Sequence, residues 1–335
     1  LNVKAKASPD IASIAVHGLT RNMPQALPLL SDMVRNPAFP KKEVANFLNQ
    51  REQKMKQRLE QNSYVAGLKL LNNLFGEKHP LGFTYEPEAF RTVKISDLQD
   101  FHKKYYHAGN CTIFLSGRPS SEAVKMLEDH FGQQVYPGKE APGDKIWSAV
   151  SSEDRKIHIE RPDKVQAAIS IGMRSIAREH PDFPEWSMVN MTLGGFFGSR
   201  LMKNIREEKG YTYGIYSSLG AYKSGSYFSI ECECDKTYRE DVIKEIYHEI
   251  NRLKTELVSE EELNIIRNYW LGKLLSQVDG PFNRANMLKG LVINGLNENY
   301  LNRVLDTVSH IGPERIREIA HKYLDTDSMH EVVVG

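Results

Sequence analysis

The 335 residues carry 44 basic and 43 acidic side chains, a formal charge of +1 with no long run of either sign, so the charge pattern marks neither a nucleic-acid footprint nor a membrane-binding face. Hydrophobic residues make up 40% and charged residues 26%, which predicts a soluble globular chain with enough apolar material for two domains. No stretch approaches the roughly 20 apolar residues that span a bilayer, the N-terminus lacks a secretory pattern, and Cys111, Cys232 and Cys234 give neither a disulfide framework nor a zinc knuckle.

Ile11 to His17 reads as a strand, followed by a helical pattern from Pro24 to Arg35 that puts Leu27, Leu30, Met33 and Val34 on one face. Pro37 and Pro40 close it. A long charged helix is predicted from Lys41 to Asn62 and another from Tyr64 to Leu74, before the turn-rich Gly76–Gly82 loop. Ser96 and Gln99 suggest a capping box opening a helix through Tyr106. The segment CTIFLSG, 111–117, then reads as a strand and 121–131 as an amphipathic helix. Between Pro137 and Asp154 the composition turns to Pro, Gly, Ser and charge, which divides the chain into a first domain over 1–136, a linker over 137–154 and a second domain over 155–335. Alternating strand and helix signals place it in an α/β or α+β class, with helices covering sheets.

An internal repeat organises these elements. The segment ending at Gly117 matches the one ending at Gly335, with Tyr105 aligned to Tyr323 at an offset of 218. Upstream, FPKKEV from Phe39 matches VSEEEL from Val258 at an offset of 219, and Ser259 with Glu262 forms a capping signal on the second helix. The strand pair of the second copy, KIHIERP and VQAAISIGM (156–162 and 165–173), has counterparts that would fall before residue 1. With repeats of equal size, the first copy is expected to lack about sixty initial residues.

Three stretches carry a family resemblance that covers essentially the whole chain. The opening, LNVKAKASPDIASIAVHGLTRNMPQALPLLSDMVRNPAFPKKEV, is similar to the segment just after the zinc-binding helix in insulinase-like (pitrilysin) zinc metallopeptidases, and FGEKHPLG is similar to a loop of that family. LGGFFGSRLMKNIREEKGYTYGIYSS, 193–218, resembles its glycine-rich segment and Arg-Glu-x-x-Gly-x-x-Tyr signature. The resemblance implies an α+β fold of the mitochondrial processing peptidase type, two duplicated domains, each a mostly antiparallel sheet flanked by helices, the first N-terminally incomplete.

Active members hold zinc with a His-x-x-Glu-His helix and a distant Glu. The eleven histidines of this chain include no two spaced three or four apart, so that helix is absent from its sequence. Under the resemblance the distant Glu falls near Lys54, an ammonium without a free lone pair. Glu52 lies two residues earlier, about 200° around the helix, and would serve only after a register shift. The expectation is no metal and no cofactor in this chain, with zinc held by the family or by a partner. Taken on periodicity alone, Lys54 is a solvated lysine on a charged helix face.

The resemblance assigns Arg206 and Tyr213 to positioning the substrate carbonyl at a partner's zinc site, a task suited to a fixed cationic fork and a phenol donor. Without it, Arg206 reads as a helix C-terminal cation and Tyr213 as a strand aromatic. Gly194, Gly195 and Gly198 read equally as close-approach points for a peptide and as a tight packing turn. No Gly-Lys-Ser/Thr phosphate loop is present. His79, before Pro80, reads with His102 and His107 as a surface residue.

The leading expectation is an inactive subunit that completes a peptide-binding chamber. It would take a peptide or unfolded polypeptide, dimerise with an insulinase-like zinc subunit or its own copy, and neither bind nucleic acid nor span a membrane. The alternatives are an active zinc metalloendopeptidase whose zinc helix lies outside this sequence, and a non-enzymatic structural core-type subunit. A cytoplasmic and a periplasmic location fit equally.

Overall fold

The structure, a computed structural model, describes residues 1–132 and 147–335. Residues 137–146 of the expected linker lie outside the described residues. Contacts divide the chain into two compact units, Leu1–Gln57 with Tyr85–Ile146, and Arg58–Thr84 with Trp147–Gly335. The segment 58–84 thus packs with the second half of the sequence.

The first unit opens with a hairpin of β1 (Asn2–Ala7) and β2 (Ala12–His17), paired antiparallel from Asn2 opposite His17 to Ala7 opposite Ala12. Helix α1 (Met23–Arg35) and α2 (Lys41–Leu59) come next, then α3 (Asn62–Phe75), which belongs to the second unit, then α4 (Ile95–Tyr105) and α5 (Ser121–Leu127). On α1, Ala26 and Leu27 are buried while Met33 is 53% exposed, so the buried stripe is narrower than the pattern predicts. Two further expectations are corrected. Lys94, not Ser96, is the N-cap of α4, and its backbone N–H donates to the Asp97 carboxylate at 2.8 Å. Residues 111–117 form no ladder with any described strand, because a β-prone segment becomes a strand only where a partner satisfies its backbone. Ile113 is accordingly 47% exposed.

The second unit contains β3 (Lys156–Ile159), β4 (Gln166–Arg174), α6 (Phe183–Leu193), β5 (Thr212–Tyr222), β6 (Gly225–Asp235), α7 (Arg239–Thr255), α8 (Glu260–Val278), α9 (Gly280–Ile293), α10 (Glu298–His310), α11 (Pro313–Tyr323) and β7 (His330–Val334). Its five strands run in the order β3-β7-β4-β6-β5, antiparallel except for the parallel β3–β7 pair. The Ser259 hydroxyl caps α8, accepting from the Glu262 N–H at 3.1 Å.

The repeat survives in the elements. Lys41–Leu59 and Glu260–Val278 are both 19 residues and lie 219 apart, and Ile95–Tyr105 and Pro313–Tyr323 are both 11 residues and lie 218 apart. The fold is the mixed, antiparallel-rich arrangement expected. No helix of the described residues is long and apolar enough to cross a membrane.

Strand alternation gives the second sheet two apolar faces. Ala167, Ile169, Ile171 and Met173 of β4 enter a core with Trp186 and Val189 of α6, Ile246 and Ile250 of α7, and Ile316 and Ile319 of α11. On the opposite face Ala168, Val332 and Val334 meet Ala66, Leu70 and Leu74, which share one face of α3 at i, i+4 and i+8.

The loop after α3 is locked by a histidine. His79 is 1% exposed, which corrects its reading as a surface residue, and His107 is likewise buried at 6%. The Leu81 N–H donates to His79 Nδ1 at 3.1 Å, so Nε2 carries the proton and donates to the Ser224 carbonyl at 2.8 Å. The ring stacks on Phe75 at 4.7 Å, closing a packed unit that turn chemistry alone does not reveal.

Candidate functional site

Helix α6 ends at Gly194, whose N–H and that of Gly195 both donate to the Asn190 carbonyl, at 3.0 and 2.9 Å. This tight stop brings the chain against β5, where the Ser217 N–H donates to the Gly194 carbonyl at 3.0 Å. A Cβ on Gly194 would lie 2.6 Å from Ser217 N, and one on Gly195 2.7 Å from Met191 Sδ, so protein already fills the space where those side chains would stand. A Cβ on Gly198 would lie 2.8 Å from the Phe196 ring.

A π-helical segment, Met202–Glu208, comes after this turn and carries Arg206. Both ends are fastened by charge-assisted bonds. Arg200 donates from Nε and Nη2 to Glu262 at 2.8 and 3.0 Å, a bidentate fork onto the first turn of α8. The Asn204 amide donates to Glu245 and Glu249 at 3.1 and 2.7 Å, and Glu249, 1% exposed, also accepts from Arg252 at 3.0 Å. Lys209 sits 2.8 Å from Glu245, whose carboxylate holds the ammonium above its ordinary range.

Strand β5 begins with an irregularity in its pairing to β6, between Thr212 and Ile215. The Thr212 hydroxyl donates to the Glu233 carbonyl at 2.6 Å and accepts from the Gly214 N–H at 3.1 Å, pinning the bulge. The bulge turns Tyr213 outward, and its side chain is 91% exposed. Arg206 reaches the same point. Its Nε–H donates to the Tyr213 carbonyl at 3.0 Å, its guanidinium carbon lies 4.6 Å from the centre of the Phe197 ring, and Nη1 is 3.8 Å from Glu207. Arg206, from the 202–208 segment, is thus bonded to the backbone of Tyr213 on the outermost strand of the sheet, beyond which no described strand pairs. With Nε engaged and Nη1 3.8 Å from the Glu207 carboxylate, the Nη groups retain donor hydrogens toward a ligand.

The sequence singled out Arg206 and Tyr213 but gave no signal for Phe197 or Thr212. An exposed Phe in a Gly-rich turn resembles any loop aromatic, and a Thr beginning a strand resembles any β-branched residue.

The residues aligned with the family's third zinc ligand do not fit a metal. On α2, Glu52 is 3% exposed, and its carboxylate accepts from Arg91 Nε and Nη2 at 2.7 and 2.5 Å and lies 2.7 Å from Lys56 Nζ. Those hydrogen bonds hold the carboxyl at about 2. Lys54 is exposed. Among the described residues no group of three His, Cys, Asp or Glu side chains could hold a metal ion.

Residues 92–269, more than half of the chain, match the family model of the peptidase M16 inactive domain. A relative named an uncharacterized zinc protease in Mycobacterium bovis is 21% identical over 311 residues, covering 92% of this chain and 71% of its own length. A non-peptidase homolog of Helicobacter pylori is 18% identical, covering 100% of this chain and 77% of its own. The crystal structure of a peptidase M16 inactive domain from Pseudomonas fluorescens superposes with a TM-score of 0.90 at 24% identity, over 100% of this chain and 81% of its own.

Proposed function

The chain belongs to the peptidase M16 family, the insulinase-like zinc proteases, and from that premise we propose that it is the non-catalytic member of a peptide-processing assembly. In this reading Arg206 and Tyr213 meet the scissile carbonyl of a peptide held at a zinc-bearing partner. The observation that carries it is the pair itself, an Arg on the 202–208 segment whose Nε bonds the Tyr213 carbonyl and whose Nη groups keep donor hydrogens, and a tyrosine 91% exposed at the start of the outermost strand. Both groups donate hydrogen bonds toward negative charge developing on a carbonyl oxygen without changing their ionisation. Past Ser217, whose N–H is taken by the Gly194 carbonyl, β5 runs on to Tyr222 with no described strand beyond it, an edge suited to an extended chain lying alongside. Gly194, Gly195 and Gly198 shape the turn that brings this platform together. The ion-paired Glu52 and the exposed Lys54 support assigning zinc to the partner.

The test is peptide hydrolysis, with bound zinc quantified, by this chain alone and mixed with zinc-bearing family members from the same organism. The expected result is cleavage only on mixing, reduced about 10²-fold by Arg206→Ala, and substantially by Tyr213→Phe, the scale seen for loss of one oxyanion donor. Chelator-sensitive cleavage by the chain alone, with one zinc bound, would refute the proposal. Cleavage on mixing that is indifferent to both substitutions would instead support a structural core-type subunit.

A further inference from the structure

Phe196 and Phe197 are neighbours in sequence and opposites in environment. Phe196 is 8% exposed and packs its ring 4.8 Å from that of Tyr269 on α8, anchoring the turn. Phe197 is 55% exposed, and the group that lies over its ring is the Arg206 guanidinium, 4.6 Å from the ring centre. The inward ring thus fixes the direction of the outward one. A cation over an aromatic face is attracted by the ring quadrupole, and the attraction holds the guanidinium against a rigid surface.

From this arrangement we infer that Phe197 is a positioning residue: it holds the Arg206 fork in the orientation that presents its Nη edge. The inference rests on the reading that Arg206 meets a ligand carbonyl. Arg206 has several rotatable bonds, and three contacts restrain it, the Tyr213 carbonyl at Nε, the Glu207 carboxylate 3.8 Å from Nη1 and the Phe197 ring 4.6 Å from the guanidinium carbon. The carbonyl restrains one end of the guanidinium, and the ring restrains where its centre lies. Without the ring, the side chain sweeps through orientations that leave the Nη edge misaligned, and the ordering of a long side chain must be met when ligand binds. A leucine at this position retains apolar bulk but has no quadrupole, whereas a tryptophan is the strongest platform.

Two measurements decide the inference. In the chain alone, the Arg206 Nε–H resonance is expected to be ring-shifted and slow to exchange, to return to the position of unconstrained arginines in Phe197→Leu, and to keep its shift in Phe197→Trp. In the mixture with a zinc-bearing family member, using internally quenched peptides of mixed sequence, Phe197→Leu is expected to lower kcat/KM about two- to fivefold, the range expected of an exposed cation–π contact. The loss should lie in kcat, be restored by Phe197→Trp, and vanish in an Arg206→Ala background. An unchanged Nε–H resonance in Phe197→Leu, or an equal loss of cleavage in the Arg206→Ala background, overturns the inference. If Arg206→Ala itself leaves cleavage unchanged, the proposed function falls, and the resonance decides alone whether Phe197 orients Arg206.

Discussion

Replacing Leu70 by Ala tests the assignment of α3 to the core of the second unit. Leu70 is 1% exposed and packs with Ala66 and Leu74 against Ala168, Val332 and Val334. The substitution removes three buried carbons, about 2.4 kcal/mol at roughly 0.8 kcal/mol per methylene. The hydrogen-bonded sheet beneath collapses little into the space, so a cavity term raises the expected cost to about 3 to 4 kcal/mol. Denaturant unfolding combined with backbone hydrogen exchange reads both size and place. Protection should fall together in α3 and at the amides of β4 and β7, with β1 and β2 unaffected. A loss below about 1 kcal/mol, or faster exchange confined to α3 while β4 and β7 keep their protection, would refute the reasoning.

Three further outcomes concern ionisable groups held by burial or by ion pairs. Glu52 titrates at about 2 in the folded chain against an ordinary 4.5, because Arg91 and Lys56 bond its carboxylate; the folded form releases this proton more readily than the unfolded form. Its contribution is therefore complete above 4.5 and lost as pH falls toward 2, so acid unfolding of the wild type should be steeper in that window than that of Glu52→Gln. His330 is depressed below its ordinary 6.5, by burial first and then by Arg155 and Arg174. The unfolded chain takes up this proton first, so stability falls as pH drops below 6.5, and His330→Gln should flatten that slope in a thermal melt series. Cys232 and Cys234 are buried, with both thiols pushed up by burial, the latter to about 11, while Cys111 is exposed. A thiol reagent should modify one cysteine in the native protein and the other two only on unfolding, as monitored by mass spectrometry.

Periodicity located the five helices of the first 131 residues within a few residues, because their apolar spacing and terminal prolines are local properties. The 19-residue pair at an offset of 219 shows that the repeat also predicted which helices correspond. The features that stayed illegible depended on partners distant in sequence. Residues 111–117 have strand composition, and their repeat counterpart β7 is paired on both sides, yet the segment itself finds no ladder among the described strands. His79 reads as a turn residue because the Ser224 carbonyl that receives its proton lies 145 positions away. Arg206 and Tyr213 were legible through the family motif, whereas the surrounding ring and bulge were not, since each is defined by contact geometry and not by residue type.

The outer edge of β5 past Ser217 has a consequence for handling as well as for the proposed recognition. At the opposite end of the sheet, β3 spans only four residues, whereas β5 spans eleven. An unpaired strand edge is a template for any extended chain, including the same strand of a neighbouring molecule. The bulge between Thr212 and Ile215 disrupts the regular template at one end, leaving the stretch toward Tyr222 as the surface where self-association would begin. Colloidal behaviour in concentrated solution is thus tied to the occupancy of the same strand that presents Tyr213.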